Sequence, residues 1–190
     1  MKKRLFVAIE LPQDLRRAYL QHVSAVADRW PGARWTKEDN LHITVLFLGG
    51  VEGTSVAGLV ADLGRAAASI APFVMAHEAL LLAPPGRKPP TMIWAAFSGR
   101  EAFASAVRVI GGTVQRRAPA TATDNEPLPH VTLARFKDDA VRVTRGQDVR
   151  QLPQATGWSF SVDELLLVES HLTPSGPVYT VIKRFGLNHQ

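Results

Sequence analysis

Two four-residue segments, His42-Ile43-Thr44-Val45 and His130-Val131-Thr132-Leu133, each set a histidine and a threonine two positions apart among β-branched or other apolar residues. Each is followed by a phenylalanine, Phe47 and Phe136. Residues i and i+2 of a strand leave the same face, so each segment presents one imidazole beside one hydroxyl. An imidazole, with an unperturbed pKa of about 6.5, exists in both protonation states near neutrality and can give or take a proton. Two such pairs facing each other supply two proton-transfer groups and two neutral hydrogen-bond donors, with no metal required. That set suits a bound phosphodiester.

The chain has six histidines. His22 falls in a helical pattern and His189 is the penultimate residue, so both read as surface or packing residues. His77 lies in a strand pattern without a threonine partner. His171-Leu172-Thr173 repeats the tripeptide but runs straight into Pro174, Ser175 and Gly176. A hairpin that leaves Thr173 outside the strand explains it better than a site does. A single His-x-Thr is more often a core histidine bonded to nearby backbone, and threonine is a good strand former in its own right. The matched second copy tips the balance toward chemistry. A metal site has less support, because no His-Glu-x-x-His, no His-x-His and no cysteine is present. Zinc would have to recruit scattered carboxylates.

The elements that position these residues follow from periodicity. Segments 4–11, 41–48, 73–83, 91–98, 130–136, 157–162, 164–171 and 177–185 read as strands, the last two joined by a hairpin at Thr173–Gly176. Helical spacing marks a segment from about Leu11-Pro12 to Asp28, another over 55–70 and a third over 101–117. Gly49-Gly50 is read as the end of the first motif strand, Pro31-Gly32 as a turn, and residues 84–90, with four prolines, as an irregular loop. The stretch 137–155 is poorly patterned, with room for a short helix near Arg145–Leu152. Hairpin-connected strands interleaved with helices point to α+β rather than a doubly wound parallel sheet. The motifs lie 88 positions apart, close to half of the 190 residues, which suggests two related lobes with one His/Thr strand each.

Apolar residues make up 46% and charged residues 21%, a balance suited to a globular chain rather than a disordered or membrane one. The start, Met1-Lys2-Lys3-Arg4 and then Leu5–Ile9, has the charge and hydropathy of a leader. Glu10 breaks the apolar run and no small-residue cleavage site follows, so it reads as a first strand. No stretch approaches the roughly 20 apolar residues of a membrane span, and the expectation is a soluble, cytoplasmic chain. Zero cysteines exclude disulfides and thiol nucleophiles. A net charge of +5 favours a polyanionic partner, although no basic tail or block of like charges marks a dedicated nucleic-acid arm.

At the motif residues the chain closely resembles the 2H phosphoesterase superfamily, named for two H-x-[ST]-x motifs. Within it the chain is most similar to the RNA 2',3'-cyclic phosphodiesterases, historically called 2'-5' RNA ligases. The likeness runs through Arg4-Leu5-Phe6-Val7-Ala8-Ile9, Asn40–Gly49, Trp94, Pro129-His130-Val131-Thr132-Leu133-Ala134-Arg135, Leu167-Val168-Glu169-Ser170 and the final strand to Phe185. The resemblance implies one domain over 1–190, of α+β class. Its two pseudo-symmetric lobes are antiparallel sheets forming a central cleft, with helices on the outer faces and motifs 42–45 and 130–133 at the floor. It implies that His42 is the proton donor, that His130 is the proton acceptor, and that Thr44 and Thr132 hold the phosphate. Phe47 and Arg135 match positions associated with the nucleotide and phosphate. In a regular strand Arg135 points away from His130, so either the strand twists or bulges or Arg135 is structural. His171 stands where related chains often carry Arg.

The activity implied is hydrolysis of RNA 2',3'-cyclic phosphate ends to 2'-phosphomonoesters, with no metal and no cofactor, by a monomer acting on RNA ends or nucleotides and not on membranes. Three other readings keep the same site. They are reversible 2'-5' joining of RNA ends, hydrolysis of a small cyclic nucleotide, and a non-catalytic module that binds RNA ends.

Overall fold

The computed structural model describes residues 1–27, 33–85, 90–115, 117–118, 127–136, 157–174 and 176–188. Its first strand shows how the molecule is layered. In β1 (Lys2–Glu10), Leu5, Val7 and Ile9 enter the main hydrophobic core, while Phe6 and Ala8 join a second cluster with Leu166 and Val168. A strand apolar on both faces is one buried on both faces.

Eight further strands follow: β2 (Ala33–Trp35), β3 (His42–Glu52), β4 (Phe73–Ala83), β5 (Met92–Phe97), β6 (His130–Phe136), β7 (Ser159–Val162), β8 (Glu164–Thr173) and β9 (Gly176–Gly186). They form one curled sheet in the order β7-β4-β5-β6-β3-β1-β8-β9, with β2 beside β6. All their pairings are antiparallel. Three α-helices, α1 (Gln13–Val26), α2 (Val56–Ala67) and α3 (Arg100–Val114), and two 3₁₀ turns, Glu38–Asn40 and Gly53–Ser55, complete the described elements. Leu15 and Tyr19 of α1, Leu59 and Leu63 of α2, and Phe103, Ala106 and Ile110 of α3 sit in the core cluster that holds Leu5, Val7 and Ile9. The helices therefore cover one face of the sheet and leave the other to the motifs. The α+β class read from the sequence is the class observed. None of the described helices is long and apolar enough to cross a membrane.

The sheet narrows at one place. β3 and β6 meet through a single residue pair, Ile43 opposite Val131, both fully buried. On one side of that seam lie β1, β8 and β9, and on the other β5, β4 and β7, while β2 pairs with β6 beyond the end of β3.

Several boundaries differ from the sequence reading. β3 does not stop at Gly49-Gly50 but continues to Glu52, because an extra residue at Leu48 is absorbed by a bulge and Gly49 takes φ +70. β2 lies in what reads as loop, since three residues carry too little pattern to show periodicity. Thr173 lies inside β8, opposite Gly176, rather than beyond the strand. The helix suggested near Arg145–Leu152, the turn at Pro31-Gly32 and residues 86–89 of the proline-rich loop lie outside the described residues.

Candidate active site

The seam pair fixes the site. Ile43 and Val131 point into the core, so their chain neighbours His42, Thr44, His130 and Thr132 project from the opposite face. Because the strands are antiparallel, a local twofold relation about that pair matches one His/Thr set to the other. The two motifs come from strands on opposite sides of the narrowest point of the sheet.

Bulges extend this set beyond the four residues. Between β3 and β1, Leu46 pairs with Val7 but Thr44 with Ala8, which leaves Val45 extra. Val45 and Leu46 consequently both pack on the core side, and Phe47 returns to the face of Thr44, opposite Phe6. Between β6 and β5, Ala134 pairs with Ile93 but Thr132 with Trp94, which leaves Leu133 extra. Leu133 and Ala134 both enter the core, and Arg135 emerges exposed opposite Met92, on the face of Thr132 and Trp94. Arg135 acts electrostatically on both motif histidines. A bulge, not a regular strand, governs its direction, so all six site residues singled out in the sequence lie on one face.

Each imidazole is anchored in the same way. His42 donates through Nδ1 to the carbonyl of Asn40 at 2.8 Å, and His130 through Nδ1 to the carbonyl of Leu128 at 2.7 Å. A carbonyl only accepts, so Nδ1 carries the proton in both rings and Nε2 is left for chemistry. His42 Nε2 lies 3.0 Å from Thr44 Oγ1.

The surroundings of the two rings differ. His42 lies 4.9 Å from the Phe6 ring and 5.2 Å, edge-on, from Tyr179. Burial pushes its pKa down to about 4, opposed by the Asn40 carbonyl and helped by the charges of His130 and Arg135. His130 stacks on Trp94, with centroids 3.6 Å apart and planes 19° apart. Its pKa is also lowered, first by burial and then by Arg135, against the pull of the Leu128 carbonyl. Glu10 stands opposite His42 in the sheet but is held by Arg16 at 3.0 Å and Arg184 at 2.8 Å. Among the described residues, the charges that act on the two imidazoles are positive.

Two residues here escape sequence reasoning as site members. Tyr179 of β9 packs against Phe6 and His42, and its phenol is raised by burial, less so for the charges of Arg135 and Arg4 nearby. Trp94 marks the family resemblance without suggesting a task. Only the pairings β8–β9 and β5–β6 bring them to the motifs, and a period-two pattern gives a side chain's face but not its neighbour.

Of the other histidines, His77 and His171 lie elsewhere, and His189 is outside the described residues. His77 Nδ1 bonds Tyr19 Oη at 2.7 Å amid Trp158 and Phe97. His171 sits 3.6 Å from Glu169, whose neighbour across the sheet, Leu5, faces the core. Among the described residues no group of three or more His, Cys, Asp or Glu could hold a metal ion.

Residues 9–94 match the model of the family described as LigT like Phosphoesterase. A protein of Thermus thermophilus named RNA 2',3'-cyclic phosphodiesterase is 31% identical over 97% of this chain and 90% of its own length. The chain belongs to the LigT-like phosphoesterase family. A second family member, the RNA 2',3'-cyclic phosphodiesterase of Escherichia coli, is 27% identical over 97% of both chains. Among solved LigT-like structures, one from Thermus thermophilus superposes with a TM-score of 0.80 at 30% identity and 97% coverage of both chains. Escherichia coli LigT complexed with 3'-AMP gives 0.76 at 25% identity over the whole of both.

Proposed function

We propose that this LigT-like phosphoesterase opens 2',3'-cyclic phosphates at RNA ends by acid–base catalysis between His42 and His130, leaving a 2'-phosphate. The observation that carries the reading is the seam itself. Two imidazoles, each with Nδ1 tied to a carbonyl and Nε2 left for proton transfer, that of His42 beside the Thr44 hydroxyl, stand on one face from opposite sides of the Ile43–Val131 pair. The chain works as one domain of two lobes, each lobe bringing one motif.

In-line opening of the ring needs water deprotonated on one side of phosphorus and the departing ribose 3' oxygen protonated on the other. His130 is the base. As it gains the proton it becomes a cation on the face of Trp94, an attraction worth roughly 0.5–2 kcal/mol. His42 is the acid. Burial disfavours its proton, and the arriving phosphodiester anion favours it, since the described charges around the ring are positive. Thr44 and Thr132 donate to the non-bridging oxygens, and Arg135 balances charge that develops there. Phe47, half exposed beside Phe6, offers an apolar surface for a base. Proton transfer and charge stabilisation thus both come from side chains, and the reaction proceeds in the presence of a chelator.

The test is 31P NMR of a short RNA ending in a 2',3'-cyclic phosphate, incubated with the chelator-treated protein. The cyclic resonance is replaced by that of a 2'-monophosphate. A 3'-phosphate, or turnover only after a divalent metal is restored, contradicts the mechanism.

Two variants probe the supporting groups. Thr44→Val and Thr132→Val each lose about 10–100-fold in kcat/KM, less than the roughly 10²–10³ for loss of an oxyanion-hole donor because Arg135 remains, while serine at either position restores most of it. Loss in the serine variants as deep as in valine argues that the methyl group, not the hydroxyl, matters. Trp94→Leu lowers kcat by about 3–10-fold, in line with a lost cation–π contact of roughly 1 kcal/mol, and shifts the His130 titration seen by NMR further down. An unmoved titration removes the stacking argument.

A further inference from the structure

The face that carries the motifs also holds a guanidinium that this reaction leaves unused. β2 lies along the same edge of β6 as β3 and takes over where β3 leaves it. Ala33, Arg34 and Trp35 stand opposite Phe136, Arg135 and Ala134, whereas Ile43 stands opposite Val131. Arg34 is therefore set directly across from Arg135, on the face that Arg135 shares with Thr132 and Trp94. Both side chains are exposed, and neither forms an ion pair with a carboxylate among the described residues. Like charges directly opposite one another in a sheet repel. β2 is held there nonetheless by Thr36, whose N–H donates to the Leu133 carbonyl at 2.8 Å and whose hydroxyl donates to the Thr132 carbonyl at 2.7 Å. Two arginines set opposite each other, with no carboxylate partner among the described residues, make a ready site for phosphate oxygens, which arginine binds in a fixed fork geometry.

We infer that Arg34 binds the phosphate joining the terminal nucleotide to the one before it, so that the site selects oligoribonucleotide ends over free nucleoside cyclic phosphates. The inference rests on the proposed assignment of His42 as the acid. His42 protonates the departing ribose oxygen, so the ribose lies on its side of phosphorus, away from His130. Along the edge of β6 the order is Thr44, Ile43, His42 and, past the 3₁₀ turn at Glu38–Asn40, Arg34. The RNA strand leaving that ribose through its 5' oxygen runs toward β2. At about 3.3 Å per strand residue, Arg135 and its partner Arg34 lie within about 10 Å of Thr132 along β6, within the reach of one nucleotide. The inner phosphate thus meets Arg34 while the cyclic phosphate occupies the two motifs.

Three substrates separate the possibilities in the unaltered protein and in Arg34→Ala. They are a nucleoside 2',3'-cyclic phosphate, a dinucleotide with the same cyclic end, and that dinucleotide with a neutral methylphosphonate as its inner linkage. The substitution is expected to leave turnover of the mononucleotide unchanged and to lower kcat/KM for the dinucleotide about 5–20-fold. The slope of log kcat/KM against log salt becomes shallower by about 0.7, the value for one phosphate contact on a single strand. The methylphosphonate dinucleotide behaves like the mononucleotide in both proteins, and Arg34→Lys recovers part of the dinucleotide rate. Equal loss on all three substrates, or no loss on any, overturns the role of Arg34 and leaves the phosphodiesterase reading intact. Failure of the unaltered protein to open any of them overturns the phosphodiesterase reading, and this inference with it.

Discussion

His42→Ala and His130→Ala are each expected to lower turnover of a cyclic-phosphate RNA end by about 10²–10⁴-fold, the usual contribution of one positioned acid or base, while the protein stays folded. Each ring is tied by Nδ1 to a carbonyl two residues earlier, and His42 also meets the Thr44 hydroxyl through Nε2. The buried residues between the motif positions, Ile43 and Val131, carry the packing. Removal of an imidazole therefore leaves the seam pair and its backbone pairing in place. Circular dichroism and thermal melts should show native-like content in both variants. The double variant should be little worse than either single one, because an acid and a base of one displacement fail together. Near-normal hydrolysis by either single variant would take that histidine out of the reaction.

The second large effect is on pH. Burial lowers both imidazoles, His42 to about 4 and His130 to a lesser degree, with Arg135 adding to both. A dependence of kcat/KM on pH reports the free protein. Its active form carries one proton on the pair, and that form is depleted once pH rises above the two lowered values. The optimum of kcat/KM should therefore lie below 6.5, with a fall approaching tenfold per pH unit on the alkaline side. The kcat profile reports the complex, where the bound anion favours imidazolium, so its optimum moves toward neutrality. Folding stability obeys the same sign. A histidine whose folded pKa lies below its unfolded value of about 6.5 contributes stability above that value and loses it as pH falls toward about 4, because the unfolded chain binds the proton first. His42→Ala should flatten part of that acid decline. A kcat/KM that holds level or rises between pH 6.5 and 8 would contradict the positive, desolvated site described here.

Much of this was legible in the residues. Both motif strands, the three helices and the α+β class follow from periodicities of two and 3.6, which record which face is buried. The four motif side chains follow from parity within a strand. Arg135 and Phe47 mark where that logic stops. By parity from its motif partners each should face the core, and each is turned outward by one extra residue, Leu133 or Val45. A bulge is set by how two strands register, and an apolar residue that is extra in the ladder looks the same in sequence as one that is paired. Trp94, Tyr179 and Arg34 were hidden for a related reason. Their importance lies in the strand across from them, and cross-strand neighbours are fixed by topology. β2, at three residues, shows no period at all, yet it places a guanidinium beside Arg135.

The proposed mechanism requires both imidazoles to engage one phosphate. Side-chain 15N–1H NMR of the histidines during titration with a nucleoside 2'-monophosphate tests it most directly. The Nε2 signals of His42 and His130 should move together along one binding curve, toward the protonated form, while His77 and His171 stay still. Movement of only one of the pair, or separate curves for the two, would contradict it.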